Sequence, residues 1–187
     1  MKNKIEKNNL TKTVSLISIA ILLFLLKMYF SGDKAVMIWL LWPVKNLVGF
    51  FTGIYFIFDS ACGYVSYDRL VIISNRCSGL NFFIIAVFLS VFMDLTNEKT
   101  AYNRIISILI FIAASYMLTV VANTTRISVS IFLGYYKPHF EFLSQARSWV
   151  HEALGTFVFL LFLLSYYFVL TKGKSWIKNY ILRDLKT

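Results

Sequence analysis

Charge is scarce in this chain: only 15% of its 187 residues are Asp, Glu, Lys or Arg, against 58% hydrophobic and 18% aromatic. That balance lies outside the range of a soluble domain of this length and reads as an integral membrane protein. Proline is scarce as well, two residues in all. Apolar runs approaching the length that crosses about 30 Å of hydrocarbon favour helices over the alternating strands of a membrane barrel. The two cysteines, Cys62 and Cys77, are too few for a disulfide framework, although a single bridge stays open. Their separation matches no paired Cys-x-x-Cys zinc pattern. Histidine is limited to His139 and His151 and the carboxylates do not cluster. A metal site, which usually needs roughly three or four protein ligands, is therefore not expected, and no other cofactor is implied. Acidic residues are the scarcer sign, 9 against 19 basic, for a net charge of +10. The basic residues gather at the termini and in one short loop, with no soluble domain to present them, so they read as topogenic signal and not as a nucleic-acid surface.

Taken in order, residues 1–12 carry Lys2, Lys4, Lys7 and Lys12 against Glu6, then an apolar run over 13–30 is long enough to span. No small-x-small cleavage site follows in Phe30-Ser31-Gly32-Asp33, so this is expected to be an uncleaved first helix with a cytoplasmic N-terminus. Residues 36–58 are long enough for a second span, but Pro43, Lys45, Asn46, Gly49 and Gly53 interrupt them, and Trp39 and Trp42 favour the headgroup level. They are expected as an interfacial or re-entrant helix. Over 63–76, β-branched and aromatic residues flank Asp68-Arg69, which predicts a short extracytoplasmic β-hairpin. Spans are then expected over 78–95, 104–122 and 150–171, with a polar loop at 94–104, an outer segment over 123–149 and a basic tail over 172–187. The tract Asn123-Thr124-Thr125-Arg126 breaks the apolar stretch 105–133. An arginine at such a depth costs at least about 2.5 kcal/mol on insertion scales, so Arg126 is expected to face the bundle interior or a wet cavity. The expected fold is an all-α polytopic membrane protein, one domain over 1–187, with about four spanning helices, an interfacial or re-entrant helix and a short β-hairpin.

The basic residues set an orientation. Eleven of the 19 lie in the 40 residues of 1–12, 94–104 and 171–187, whereas seven lie in the 75 residues of 31–77 and 123–150. The positive-inside bias then puts both termini and the 94–104 loop in the cytoplasm, which requires an even number of spans. On that topology Cys77 starts the second span, Arg126 ends the third and His151 starts the fourth, all at the outer face. They are 49 and 25 residues apart, and none of them was used to place the spans.

The hexapeptide Asn75-Arg76-Cys77-Ser78-Gly79-Leu80 ends a β-like segment and opens an apolar helix. A thiol attacks only as thiolate, and the unpaired N–H groups of a helix N-terminus favour negative charge nearby. Ser78 is the candidate N-cap, and Gly79 leaves room for a substrate backbone. Asn81 and Asn123 are candidate supporting groups, and Arg76 and Arg126 add positive potential. His151 would serve as acid for a leaving amine and then as base for the incoming nucleophile, while Arg126 would hold an oxyanion or the substrate carbonyl. Together these describe a membrane-embedded cysteine peptidase or transpeptidase. Each residue also has a plainer reading: Cys77 as a small buried hydrophobe, His151 as an interfacial aromatic, Arg126 in a structural ion pair with Glu152 or Asp59. The sequon at Asn123-Thr124-Thr125 is a false positive if buried in the membrane. Two other classes compete, a thiol oxidoreductase pairing Cys62 with Cys77 and a non-enzymatic channel or assembly subunit.

Cys77-Ser78-Gly79 opening one helix, Asn123 and Arg126 in an Asn-x-x-Arg ending another, and His151 at the head of the last resemble the exosortase and archaeosortase family of membrane cysteine proteases. The resemblance covers roughly residues 36–171 and is strongest to the exosortase K type, although the chain is shorter than many in the family. It implies cleavage of a C-terminal sorting signal, a short motif followed by a transmembrane helix and a basic tail, in proteins anchored at the outer face of the prokaryotic plasma membrane. In some members cleavage is coupled to transfer onto a surface acceptor. By position, the resemblance implies Cys77 as the nucleophile, with Arg126 and His151 as its essential partners. It implies neither a recognition sequence nor an oligomeric state.

Overall fold

The computed structural model describes the backbone of residues 27, 34–60, 62–67, 71–74, 77–95, 101–135 and 147–184, with side chains at 27, 38–60, 62–67, 71–74, 77–93, 105–133 and 152–173. In chain order these form helix α1 (Lys34–Thr52), strands β1 (Phe56–Asp59), β2 (Gly63–Ser66) and β3 (Ile72–Ile73), and helices α2 (Leu80–Leu95), α3 (Ala101–Tyr135) and α4 (Arg147–Asp184). Apart from residue 27, the run 13–30 lies outside the described residues.

Helix α1 buries Leu40, Leu41, Val44 and Val48, a stripe at helical spacing, in one core with Phe83, Val87, Val120 and Ile127 of α2 and α3. Pro43 sits inside it without ending it. Proline offers no N–H to the carbonyl four residues back. In this chain that carbonyl, on Trp39, accepts instead from the Tyr116 hydroxyl of α3 at 2.9 Å. The Trp39 and Tyr116 rings stack with centroids 5.2 Å apart, so the proline position doubles as a helix contact.

The helix expected to run to 58 ends at Thr52. Gly53 adopts φ +72° and its N–H closes the last turn on the Gly49 carbonyl at 2.9 Å, a left-handed stop that suits glycine. The aromatic run after it becomes β1, so the expected hairpin is part of a three-stranded antiparallel sheet of order β1-β2-β3. Phe56 pairs with Ser66 and Asp59 with Gly63, then Tyr64 with Ile73. Gly63 is obligatory at φ +102°, because a Cβ there would stand 2.7 Å from the Ile73 carbonyl oxygen.

Helix α3 is continuous through the tract that was expected to break it. A helix needs only its own backbone bonds, and the polar side chains are accommodated one by one. Thr119, Thr125 and Ser130 return their hydroxyls to carbonyls four residues back, and Asn123 and Thr124 turn into the protein. The segment expected to stop at 122 therefore continues as helix to Tyr135.

Among the described residues two segments are long and apolar enough to cross a membrane, Ile105–Leu133 and Glu152–Gly173, while Ile38–Thr52 and Leu80–Met93 are shorter. The helices carry an apolar exterior that includes Phe88, Phe92, Leu109, Ile110, Met117, Phe157, Leu161 and Phe168, all exposed. Several of their polar groups are inside. Ser90 of α2 meets the Tyr166 hydroxyl of α4 at 2.7 Å and Ser115 of α3 at 3.5 Å. An apolar outside around a hydrogen-bonded inside is the arrangement that lipid selects.

Candidate active site

Cys77 occupies the short turn between β3 and α2. Its N–H donates to the Ser74 carbonyl at 2.8 Å, and the Ser74 hydroxyl points at its sulfur at 3.8 Å. Helix α2 opens three residues later. The Gly79 carbonyl accepts the first helical bond, from Phe83 N at 3.0 Å, and Ser78 Oγ accepts from Leu80 N at 3.4 Å. Gly79, and not Ser78, thus holds the N-cap position, at φ +72°. Ser78 still satisfies one of the free N–H groups of the first turn, from one place earlier.

Helix α3 ties this loop down. Asn123, fully buried, donates through Nδ2 to the Cys77 carbonyl across 46 residues of sequence. Its Oδ1 has no partner among the described residues. A Cβ on Gly79 would stand 3.2 Å from Asn123 Cγ and 3.3 Å from Thr119 Cγ2. The space that Gly79 leaves, expected for a substrate backbone, is therefore filled by α3 itself.

Arg126 follows Asn123 by three residues, about 4.5 Å along the axis. Its side chain is half-buried and reaches α4. A Cβ on Gly155 would lie 3.0 Å from Arg126 Nε and 3.2 Å from Cδ. The guanidinium carbon sits 5.2 Å from the centroid of the Phe159 ring, and that ring packs on Phe82 of α2 at 4.8 Å. Arg126 Nε is buried with no hydrogen-bond partner, and among the described residues no ion pair joins it to Glu152 or Asp59. The structural ion pair weighed for it is absent from this part of the molecule.

His151 belongs to α4, one turn before Gly155 and on the same helix face by its spacing of four; its side chain lies outside the described ones. A single turn of α3 thus touches the Cys77 loop through Asn123 and the His151 helix through Arg126. Asn81 is exposed on α2 and stands apart from this set. Cys62 is exposed in the β1–β2 turn, its N–H on the Asp59 carboxylate at 3.3 Å, and both thiols are free. Among the described residues no group of three His, Cys, Asp or Glu side chains is placed to hold a metal.

The family model for Transmembrane exosortase (Exosortase_EpsH) matches residues 16–168, a stretch that contains Cys77, Arg126 and His151. The chain belongs to the transmembrane exosortase family. Neither a curated protein nor a solved structure matches it significantly. Exosortase membership makes this a transmembrane protein, in keeping with the two long apolar helices.

Three contacts of the candidate site were not read from the sequence: Ser74 at the sulfur, Thr119 beside Gly79, and the Gly155–Phe159 pair under Arg126. Gly155 carried a usable signal, since a glycine four residues after His151 in an apolar helix asks what approaches it. Phe159 carried none, being one of 18 phenylalanines.

Proposed function

We propose that this exosortase is a cysteine endopeptidase of the exosortase K kind. It cuts C-terminal sorting signals of membrane-anchored proteins at the outer face of the prokaryotic plasma membrane, with Cys77 as nucleophile and Arg126 and His151 as its partners. The observation that carries the reading is the bond from Asn123 to the Cys77 carbonyl, which joins the thiol loop to the helical turn that bears Arg126. Counted from Ile105, the roughly 20 residues that cross a hydrocarbon core end close to Arg126, a depth suited to a substrate whose own helix is still in the bilayer.

In this mechanism the Cys77 thiolate attacks the scissile carbonyl, and the negative charge that develops on its oxygen is met by the Arg126 guanidinium. The C–N bond breaks as the His151 imidazolium gives its proton to the leaving amine, which departs with the transmembrane helix. A thioester to Cys77 remains. Water, or an amine when the product is transferred, gives a proton to His151 and attacks the thioester, and the thiolate is released.

The test replaces Cys77, Arg126 and His151 singly by alanine, with membrane insertion checked, and follows a tagged reporter that ends in an apolar helix and a basic tail. Each variant is expected to leave the reporter uncut, and Cys62→Ser to cut it at the wild-type rate. Processing by Cys77→Ala would sink the mechanism. Equal loss in Cys62→Ser would favour a redox pair.

A further inference from the structure

We infer that Gly155 and Phe159 form a seat on α4 that positions the Arg126 guanidinium for the reaction, with Gly155 as a positioning residue that no side chain can replace without moving it. The inference rests on the proposed role of Arg126. A glycine inside a helix is unfavourable relative to alanine, and Gly155 has none of the positive φ that would require one. Its reason lies in what approaches it. Three consecutive side-chain atoms of Arg126 line the notch, with Nε, Cδ and Cγ at 3.0, 3.2 and 3.7 Å from where a Cβ would be.

One turn along the same face, the Phe159 ring lies under the guanidinium at 5.2 Å, and Phe82 backs that ring at 4.8 Å. The seat is apolar, which matters for the chemistry. An aromatic face holds a cation without neutralising it, and no carboxylate among the described residues does so either. The charge stays available for an anion that forms only during the reaction. The seat also links two places that the mechanism needs at a fixed separation. Asn123, one turn before Arg126, holds the Cys77 loop, and Gly155, one turn after His151, receives Arg126. Displacing the guanidinium would open that distance while leaving each helix intact.

The experiment measures cleavage kinetics in membranes, using a tagged reporter with a helix-and-basic-tail signal that the wild-type enzyme cuts, together with thermal unfolding in detergent. Gly155→Ala is expected to lower kcat about three- to tenfold, with KM changed less than about twofold and with unfolding temperature unchanged or raised. Misplacement of a catalytic group by a fraction of the distance that costs about a hundredfold suffices for this. Phe159→Leu is expected to lower kcat about three- to tenfold, and Phe159→Tyr, which keeps the aromatic face, to restore it. Wild-type kcat in Gly155→Ala, beside an inactive Arg126→Ala, would overturn the seat and leave the proposed function standing. Wild-type cleavage by Arg126→Ala would overturn the role assigned to Arg126 first. Should Gly155→Ala not accumulate in the membrane, the Phe159 pair decides: equal wild-type rates in both variants would overturn the seat.

Discussion

Replacing Asn123 by alanine removes the side chain that fastens the Cys77 loop to α3, and the cost follows from its surroundings. Asn123 is fully buried and its Nδ2 satisfies the Cys77 carbonyl. Losing that partner leaves a carbonyl unpaired, a penalty of about 1–3 kcal/mol. The vacated volume, roughly 30 Å³ at about 24 cal/mol per Å³, adds about 0.7 kcal/mol. Removing the unpartnered Oδ1 returns part of this, so a net cost of about 2–3 kcal/mol is reasonable. If that energy holds the loop in its reactive position, cleavage falls about 30- to 160-fold. Asn123→Asp is the sharper control, since it keeps the volume but sets a carboxylate oxygen against the carbonyl, and it should lose at least as much. Both variants are compared with wild type for reporter cleavage at equal membrane abundance, and for unfolding temperature. Cleavage within threefold of wild type by either variant would refute the idea that Asn123 holds the loop.

Three further outcomes follow from the same contacts. Gly79→Ala places a Cβ 3.2 Å from Asn123 Cγ at a backbone φ of +72°. It should cost about 1–3 kcal/mol and depress cleavage with it, whereas Ser78→Ala, which removes a single 3.4 Å bond, should be much milder in the same assay. Tyr166→Phe deletes the 2.7 Å bond to Ser90, whose hydroxyl keeps the Ala86 carbonyl at 2.8 Å. It should lower stability by about 1 kcal/mol, or about 2–4 °C in detergent, without altering kcat. Finally, with both native cysteines removed, Ser60→Cys and Phe140→Cys should react with an impermeant maleimide in intact cells and Glu98→Cys should not; reaction at 98 would invert the proposed topology.

The apolar helices were legible because hydropathy and length speak directly to burial in lipid: the stretch read at 78–95 starts two residues before α2 and ends with it, and 150–171 lies inside the longer α4. The tract at 123–126 misled for a definable reason. Sequence reports polarity, and polarity was equated with a break, but each of those side chains finds an internal partner or turns inward, so the backbone never leaves the helix. The end of α1 misled in the opposite direction, since Tyr55-Phe56-Ile57-Phe58 is as apolar as the helix before it and only the φ of Gly53 separates the two. At the site, residue types told more than geometry. Cys77, Arg126 and His151 stood out as a thiol, a guanidinium and an imidazole in an apolar chain. That Gly79 accommodates α3, and that Gly155 accommodates Arg126, depends on which helices meet. A single chain carries no direct record of that.

The central claim is that the Cys77 sulfur becomes covalently bound to substrate. Purified enzyme mixed in detergent with a reporter that it cuts, then quenched in acid and digested, should yield the peptide containing Cys77 joined to the amino-terminal cleavage fragment. The link should be a thioester that neutral hydroxylamine releases. The same adduct on Cys62, or complete cleavage with Cys77 free of any adduct and replaceable by alanine, would contradict the account.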